Sequence, residues 1–86
     1  MKTEHTIIDV RTHEEFMGGS VNGSINIPLH ELPDRLEELK DIQGPIILCC
    51  ASGGRSGQAT AYLKQHGFNC ENGGSWMSVN LSNQTN

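Results

Sequence analysis

Residues 45–56 read Pro45-Ile46-Ile47-Leu48-Cys49-Cys50-Ala51-Ser52-Gly53-Gly54-Arg55-Ser56 and change character in the middle. From Pro45 to Cys49 the run is apolar and follows a glycine. A strand with one wet face would alternate, so this run predicts a strand covered on both faces, as in a parallel sheet. From Cys50 to Arg55 the chain is too glycine-rich for a strand or a helix interior. A helical pattern then runs from Ser56 to His66, with Ala59, Tyr62, Leu63 and His66 on one face. Gly67 suits the C′ stop of that helix, and Phe68 can pack back on Leu63 in a Schellman arrangement. A buried strand feeding a glycine loop and then a helix is the repeating unit of an α/β fold.

Working outward, Thr6 to Val10 is a short β-branched run and predicts a second buried strand. Thr12-His13-Glu14-Glu15 supplies a capping box for a short helix that Gly18 and Gly19 end. Arg11 and Glu15 could pair at i,i+4 spacing, and with Asp9 they read as structural charges. Ser24 to Ile27 predicts another strand, stopped by Pro28. Leu29, Leu32, Leu36 and Leu39 recur at helical spacing, with Pro33 suited to a first turn and Asp34 to the positive end of that helix. Downstream, a short strand near Cys70, a turn at Gly73-Gly74 and a final helical turn packed by Trp76 are expected. The pattern predicts a single domain over residues 1–79, followed by a polar tail over 80–86 that should fray.

Composition narrows the function. The 86 residues carry a formal net charge of -4 and no basic stripe, so nucleic acid is not an expected partner. No apolar run is long enough to span a bilayer, so no membrane association is expected. The polar N-terminus lacks a signal peptide's apolar stretch, which predicts a cytoplasmic protein, or a periplasmic one had a leader been removed. Cys49, Cys50 and Cys70 are an odd count without a C-x-x-C pair, which predicts free thiols and no zinc knuckle. The four histidines show no ligand spacing, so no metal site is expected.

Ligands of open parallel sheets bind at the carboxyl ends of the strands, and Cys50 falls there. The glycines let successive backbone N–H groups converge as an anion nest, and the following helix adds its positive end. Arg55 brings a permanent charge to the same loop. A thiol so placed should ionise more readily than free cysteine, whose pKa is about 8.5. The same groups could hold an anionic substrate. Taken alone, a cysteine after a buried strand is more often inert core. Cysteine, glycines and arginine together favour a reactive thiol.

These residues resemble the rhodanese family. The segment Cys50-Ala51-Ser52-Gly53-Gly54-Arg55-Ser56 is similar to that family's C-x-S-G-x-R-S active-site loop. Asp9-Val10-Arg11, Glu15-Phe16, Gly19, Gly23, Asn26-Ile27-Pro28, Gly67-Phe68 and Asn72-Gly73-Gly74 match its other motifs in order, so the similarity runs from about Ile7 to Trp76. The resemblance implies a rhodanese-like doubly wound α/β sandwich. Its mostly parallel sheet would have four or five strands, with helices on both faces. It implies a thiosulfate sulfurtransferase-type enzyme, working through a Cys50 persulfide without metal or organic cofactor. Ala51, Ser52, Gly53, Gly54 and Ser56 would form the cradle and Arg55 its rim. The donor would be a small anionic sulfur compound such as thiosulfate or a persulfide, and the acceptor cyanide, a thiol or a partner protein. Ser20 stands where the family commonly has histidine. Ala51 stands where thiosulfate-using members often carry a basic residue.

Two alternatives remain open at this point. Counting from Cys49 gives C-x5-R with Arg55, the signature of a cysteine-dependent phosphatase. A non-catalytic binding module would use the fold without the chemistry. Cys70 is expected to be a small core residue, able to resolve an oxidised Cys50 only if the fold brings the two together.

Overall fold

The computed structural model describes residues 5–42 and 44–84. Strands β1 (Thr6–Asp9), β2 (Ile25–Asn26), β3 (Ile46–Cys50) and β4 (Cys70–Ser75) form one sheet in the order β2-β1-β3-β4. Every neighbouring pair is parallel. The helices are α1 (His13–Met17), α2 (Leu36–Lys40), α3 (Gly54–Gln65) and α4 (Trp76–Gln84). The expected doubly wound sandwich is therefore present, with four strands.

The period-2 alternation of β3 divides the core. Ile46, Leu48 and Cys50 face one layer, where they pack with Leu32, Leu39, Ala59 and Leu63 under α2 and α3. Ile47 and Cys49 face the other, with Ile7, Val21, Val79 and Trp76 under α4. A fully covered leucine such as Leu63 contributes about 1.5–3 kcal/mol over its exposed state. This two-sided covering is the reason β3 reads as an unbroken apolar run.

Local signals produced the elements they encode. Glu15 N–H donates to Thr12 Oγ1 at 3.2 Å, and Thr12 N–H donates to Glu15 Oε1 at 3.0 Å, completing the capping box of α1. Helix α3 closes with Phe68 N–H on Leu63 O (3.1 Å) and Gly67 N–H on Lys64 O (3.1 Å), the paired bonds of a Schellman motif. Gly67 accepts the required φ of 87°.

Elsewhere the structure departs from the expectation. Residues 29–40 are not one helix: Leu29–Arg35 is a 3-10 segment, and α2 begins only at Leu36. Pro33 lies inside that segment, where it has no N–H to donate and its ring clashes with the i−4 carbonyl of an α-helix. Gly73-Gly74 is not a turn but part of β4. Leu48 pairs with Asn72 while Cys49 pairs with Gly74, so Gly73 is the extra residue of a bulge. A Cβ on Gly73 would lie 2.7 Å from Val79 and 2.8 Å from Ile47, so the position takes glycine alone. The expected fraying tail over 80–86 is instead helical as far as Gln84, because Val79 anchors α4 to the sheet. Thr85 and Asn86 lie outside the described residues.

Candidate active site

The sheet order makes the carboxyl ends of β1 and β3 a switch point. The chain leaving β1 turns into α1 toward β2, and the chain leaving β3 turns into α3 toward β4. Such a divergence opens a crevice at the strand ends. Cys50, the last residue of β3, sits at that crevice: the strand runs one residue further than the sequence pattern suggested, and α3 begins at Gly54, two residues before Ser56.

The segment from Ala51 to Gly53 wraps back over the sulfur. Gly53 N–H donates to Cys50 Sγ at 2.9 Å, and Ser56 N–H approaches it at 3.4 Å. The Ser56 hydroxyl oxygen also lies 3.4 Å from Sγ. Gly53 turns the chain into α3 with φ of 105°, a conformation open to glycine and strained for other residues. Burial disfavours the charged form of Cys50, but the Ser56 hydroxyl and the amides of Ser56, Gly53 and Ser52 outweigh it. The thiol pKa falls to about 7.

Its neighbour behaves in the opposite way. Cys49 faces the α4 layer, and burial there, reinforced by the Asp9 carboxylate, pushes its thiol up to about 12. A C-x5-R loop would need Cys49 in the cradle, whereas it is the fourth residue of β3 and points away. Cys70 pairs with Ile46, at the far end of β3 from Cys50. Four residues of strand, at roughly 3.3 Å each, separate it from the site, so it does not serve as a resolving thiol.

Arg55 lies in the first turn of α3, where its guanidinium forms a two-pronged bond with Glu15: Nη1 to Oε1 at 2.7 Å and Nη2 to Oε2 at 3.0 Å. The hydrogen bond from Arg55 is the main reason the Glu15 carboxyl drops to about 2. This pair spans the crevice and ties α3 to α1. Arg11 does not pair with Glu15 as its spacing suggested. It precedes α1, so helical spacing does not apply, and it closes on Asp9 instead, with Nε to Oδ1 at 2.9 Å and Nη2 to Oδ2 at 2.7 Å. The same Nη2 donates to Gly19 O at 2.6 Å, and the guanidinium lies 4.9 Å from the centroid of Trp76. Both members are buried, so the pair is structural, as the sequence suggested.

Asn72 is the residue that site reasoning passed over. Its Nδ2 donates to Gly53 O at 3.2 Å, while its Oδ1 accepts from Gly74 N–H at 2.9 Å and from the Ser56 hydroxyl at 2.6 Å. It thus fastens the cradle to the β4 bulge. In sequence it is visible only as part of Asn72-Gly73-Gly74, since the contact with Ser56 depends on strand register. Among the described residues no helix is long and apolar enough to cross a membrane.

Three comparisons bear on this geometry. A family model described as a rhodanese-like domain matches residues 1–77. A sulfurtransferase of Allochromatium vinosum is 36% identical over 62 residues, covering 72% of this chain and 57% of that protein. Thiosulfate sulfurtransferase PspE of Escherichia coli is 38% identical over 69 residues, covering 78% of this chain and 66% of that one. The chain thus spans less than two thirds of the length of either curated relative. A solved structure described as a rhodanese with anions from E. coli superimposes with a TM-score of 0.78 at 34% identity, over 87% of this chain and 91% of that one.

Proposed function

The chain belongs to the rhodanese-like domain family, and from that premise we propose that it is a sulfurtransferase whose sulfur carrier is Cys50. In the first half-reaction the Cys50 thiolate attacks the outer sulfur of a sulfane donor. A bond forms from Sγ to that sulfur, the donor's own sulfur–sulfur bond breaks, and its electron pair leaves with the remainder of the donor. In the second half-reaction an acceptor nucleophile (cyanide, a thiolate or a protein thiol) attacks the outer sulfur of the persulfide. The Cys50 thiolate departs as it began, and no outside oxidant or reductant is consumed.

The single observation that carries this reading is the 2.9 Å hydrogen bond from Gly53 N–H to Cys50 Sγ. An amide aimed at a sulfur stabilises it as an anion, which is the form that attacks. The first-turn amides of α3 at Gly54 and Arg55 have no partner inside the helix. With Ala51 and Ser52 they would receive the negative outer sulfur, as an oxyanion hole receives oxygen. Arg55 acts here mainly by holding the loop through Glu15.

Mass spectrometry tests the assignment. Incubation with thiosulfate or a low-molecular-weight persulfide should add the mass of one sulfur atom to the peptide bearing Cys50, and cyanide should remove it. Sulfur found only on Cys49 or Cys70 would overturn the reading.

A further inference from the structure

The Ser56 hydroxyl has one proton and two neighbours that want it. Its oxygen lies 2.6 Å from Asn72 Oδ1 and 3.4 Å from Cys50 Sγ. The orientation of the Asn72 amide is fixed by its other bonds. Nδ2 must face the carbonyl of Gly53, at 3.2 Å, and Oδ1 must face the N–H of Gly74, at 2.9 Å; turning the amide over would set donor against donor and oxygen against oxygen. The atom facing Ser56 is therefore a carbonyl oxygen, which cannot donate. Ser56 must donate to it, so in the resting site a lone pair of Ser56, not its proton, faces the sulfur. That arrangement suits a neutral thiol, whose S–H can donate to Ser56 Oγ. It does not suit a thiolate.

We propose that Asn72 is a positioning residue that holds the Ser56 proton away from Cys50 and must release it for the thiolate to gain its hydroxyl donor. Ionisation and the rotation of Ser56 are then one event. When the S–H proton leaves to solvent, the Ser56 O–H turns from Asn72 Oδ1 to Sγ, and Oδ1 keeps only the Gly74 N–H. The inference deepens the reading of Cys50 as the sulfur-bearing nucleophile and rests on it. The charged groups around the thiol do not perform this switch. Arg55 on α3 is occupied by Glu15 of α1, the Asp9–Arg11 pair lies beside Cys49, and β4 brings only uncharged residues from Asn72 to Ser75. Gly57 leaves the Asn72 amide room, since a Cβ there would stand at a tight 3.3 Å from Nδ2.

A cycle of variants tests the coupling by the pH dependence of alkylation with a neutral reagent, in a protein whose Cys49 is replaced by serine. Asn72→Ala frees Ser56 to donate to sulfur without competition. The alkylation midpoint should fall by about half a pH unit, and the rate at high pH should also fall, because a better-bonded thiolate is a weaker nucleophile. Asn72→Leu, of similar volume, should behave alike. In a Ser56→Ala background neither change should move the midpoint. A midpoint that stays or rises, or a shift that persists without the Ser56 hydroxyl, overturns the proposal, because loosening the loop would act in that way. The wild-type protein supplies a second readout that needs no variant. The Gly74 amide proton resonance should move downfield with the alkylation midpoint, as its bond to Asn72 strengthens, and a flat resonance would count against the switch. Sulfur loading is scored separately by mass. Failure to load with an intact alkylation cycle removes the sulfurtransferase reading, whereas loading with a flat cycle removes only the role of Asn72.

Discussion

Cys49 and Cys50 are covalent neighbours, with 0% and 1% of their surfaces exposed, yet they occupy opposite layers of the molecule. The α4 layer around Cys49 contains apolar side chains and the carboxylate of Asp9. The α3 layer around Cys50 contains backbone donors at the start of a helix. One thiol is pushed up to about 12 and the other down to about 7. Burial is common to both, so burial does not make a cysteine reactive or inert. The donors that meet the sulfur decide it, and they are present on one side because only that face of β3 looks toward the turn into α3.

The sharpest test of this contrast exchanges each sulfur for oxygen. Cys50→Ser should abolish sulfur transfer, a loss of at least a thousandfold, while Cys49→Ser should retain most of the activity in a cyanide-coupled assay. Equal losses in two folded variants would erase the difference between the layers.

The next test removes what organises the α4 side. Asp9→Ala leaves the Arg11 guanidinium buried without its carboxylate, which should cost about 3–5 kcal/mol in a urea denaturation experiment. A variant that melts with the parent would show that Trp76 and Gly19 alone satisfy Arg11.

A third measurement compares the thiols directly. With a neutral alkylating agent, the Cys50 rate should rise through a midpoint near pH 7, and Cys49 should stay unlabelled up to pH 10 in the folded protein. Labelling of Cys49 in the same range as Cys50 would show that the α4 layer opens to solvent.

The smallest effect concerns the tie between α1 and α3. The Glu15 carboxyl drops from 4.5 to about 2 in the folded state. A lowered acid adds stability that is complete above its unfolded pKa and is lost as pH falls through the folded one. The contribution should therefore fade between about pH 4.5 and 2, and Glu15→Gln should flatten that part of the acid-unfolding curve. Arg55→Ala should slow transfer by about tenfold or less, since the amides of the cradle remain. A loss as large as that of Cys50→Ser would make Arg55 a direct participant in the chemistry.

Features set by residues close in sequence were legible before any coordinates. The apolar run of β3, the Thr12–Glu15 box and the Gly67 stop each depend on a few adjacent positions and are found in the structure. The glycine loop after β3 is shorter than expected, since Cys50 belongs to the strand and Gly54 to α3. Expectations failed where a distant partner decided the outcome. Glu15 finds Arg55, which is 40 positions away, instead of the nearer Arg11. Gly73-Gly74 would suit a turn in an isolated peptide, but pairing with β3 keeps both within the strand as a bulge. Pro33 suits a first helical turn by itself, but it lies inside the 3-10 segment Leu29–Arg35, because in an α-helix it would meet the i−4 carbonyl. The bond from Ser56 to Asn72 crosses from α3 to β4, and no spacing rule connects a helix start to an edge strand.

The position of Asn72 also sets a schedule for the growing chain. Cys50 leaves the ribosome first, the amides that meet its sulfur follow within a few residues, and the clasp on Gly53 and Ser56 arrives only with β4. Because β4 is a sheet edge and pairs with β3 alone, the clasp closes only when those two strands have paired. A nascent protein therefore carries its proposed nucleophile through the 22 positions from Cys50 to Asn72 before the cradle can be fastened. The edge strand commissions the proposed thiol, and α4, next in the chain, follows to cover the opposite face.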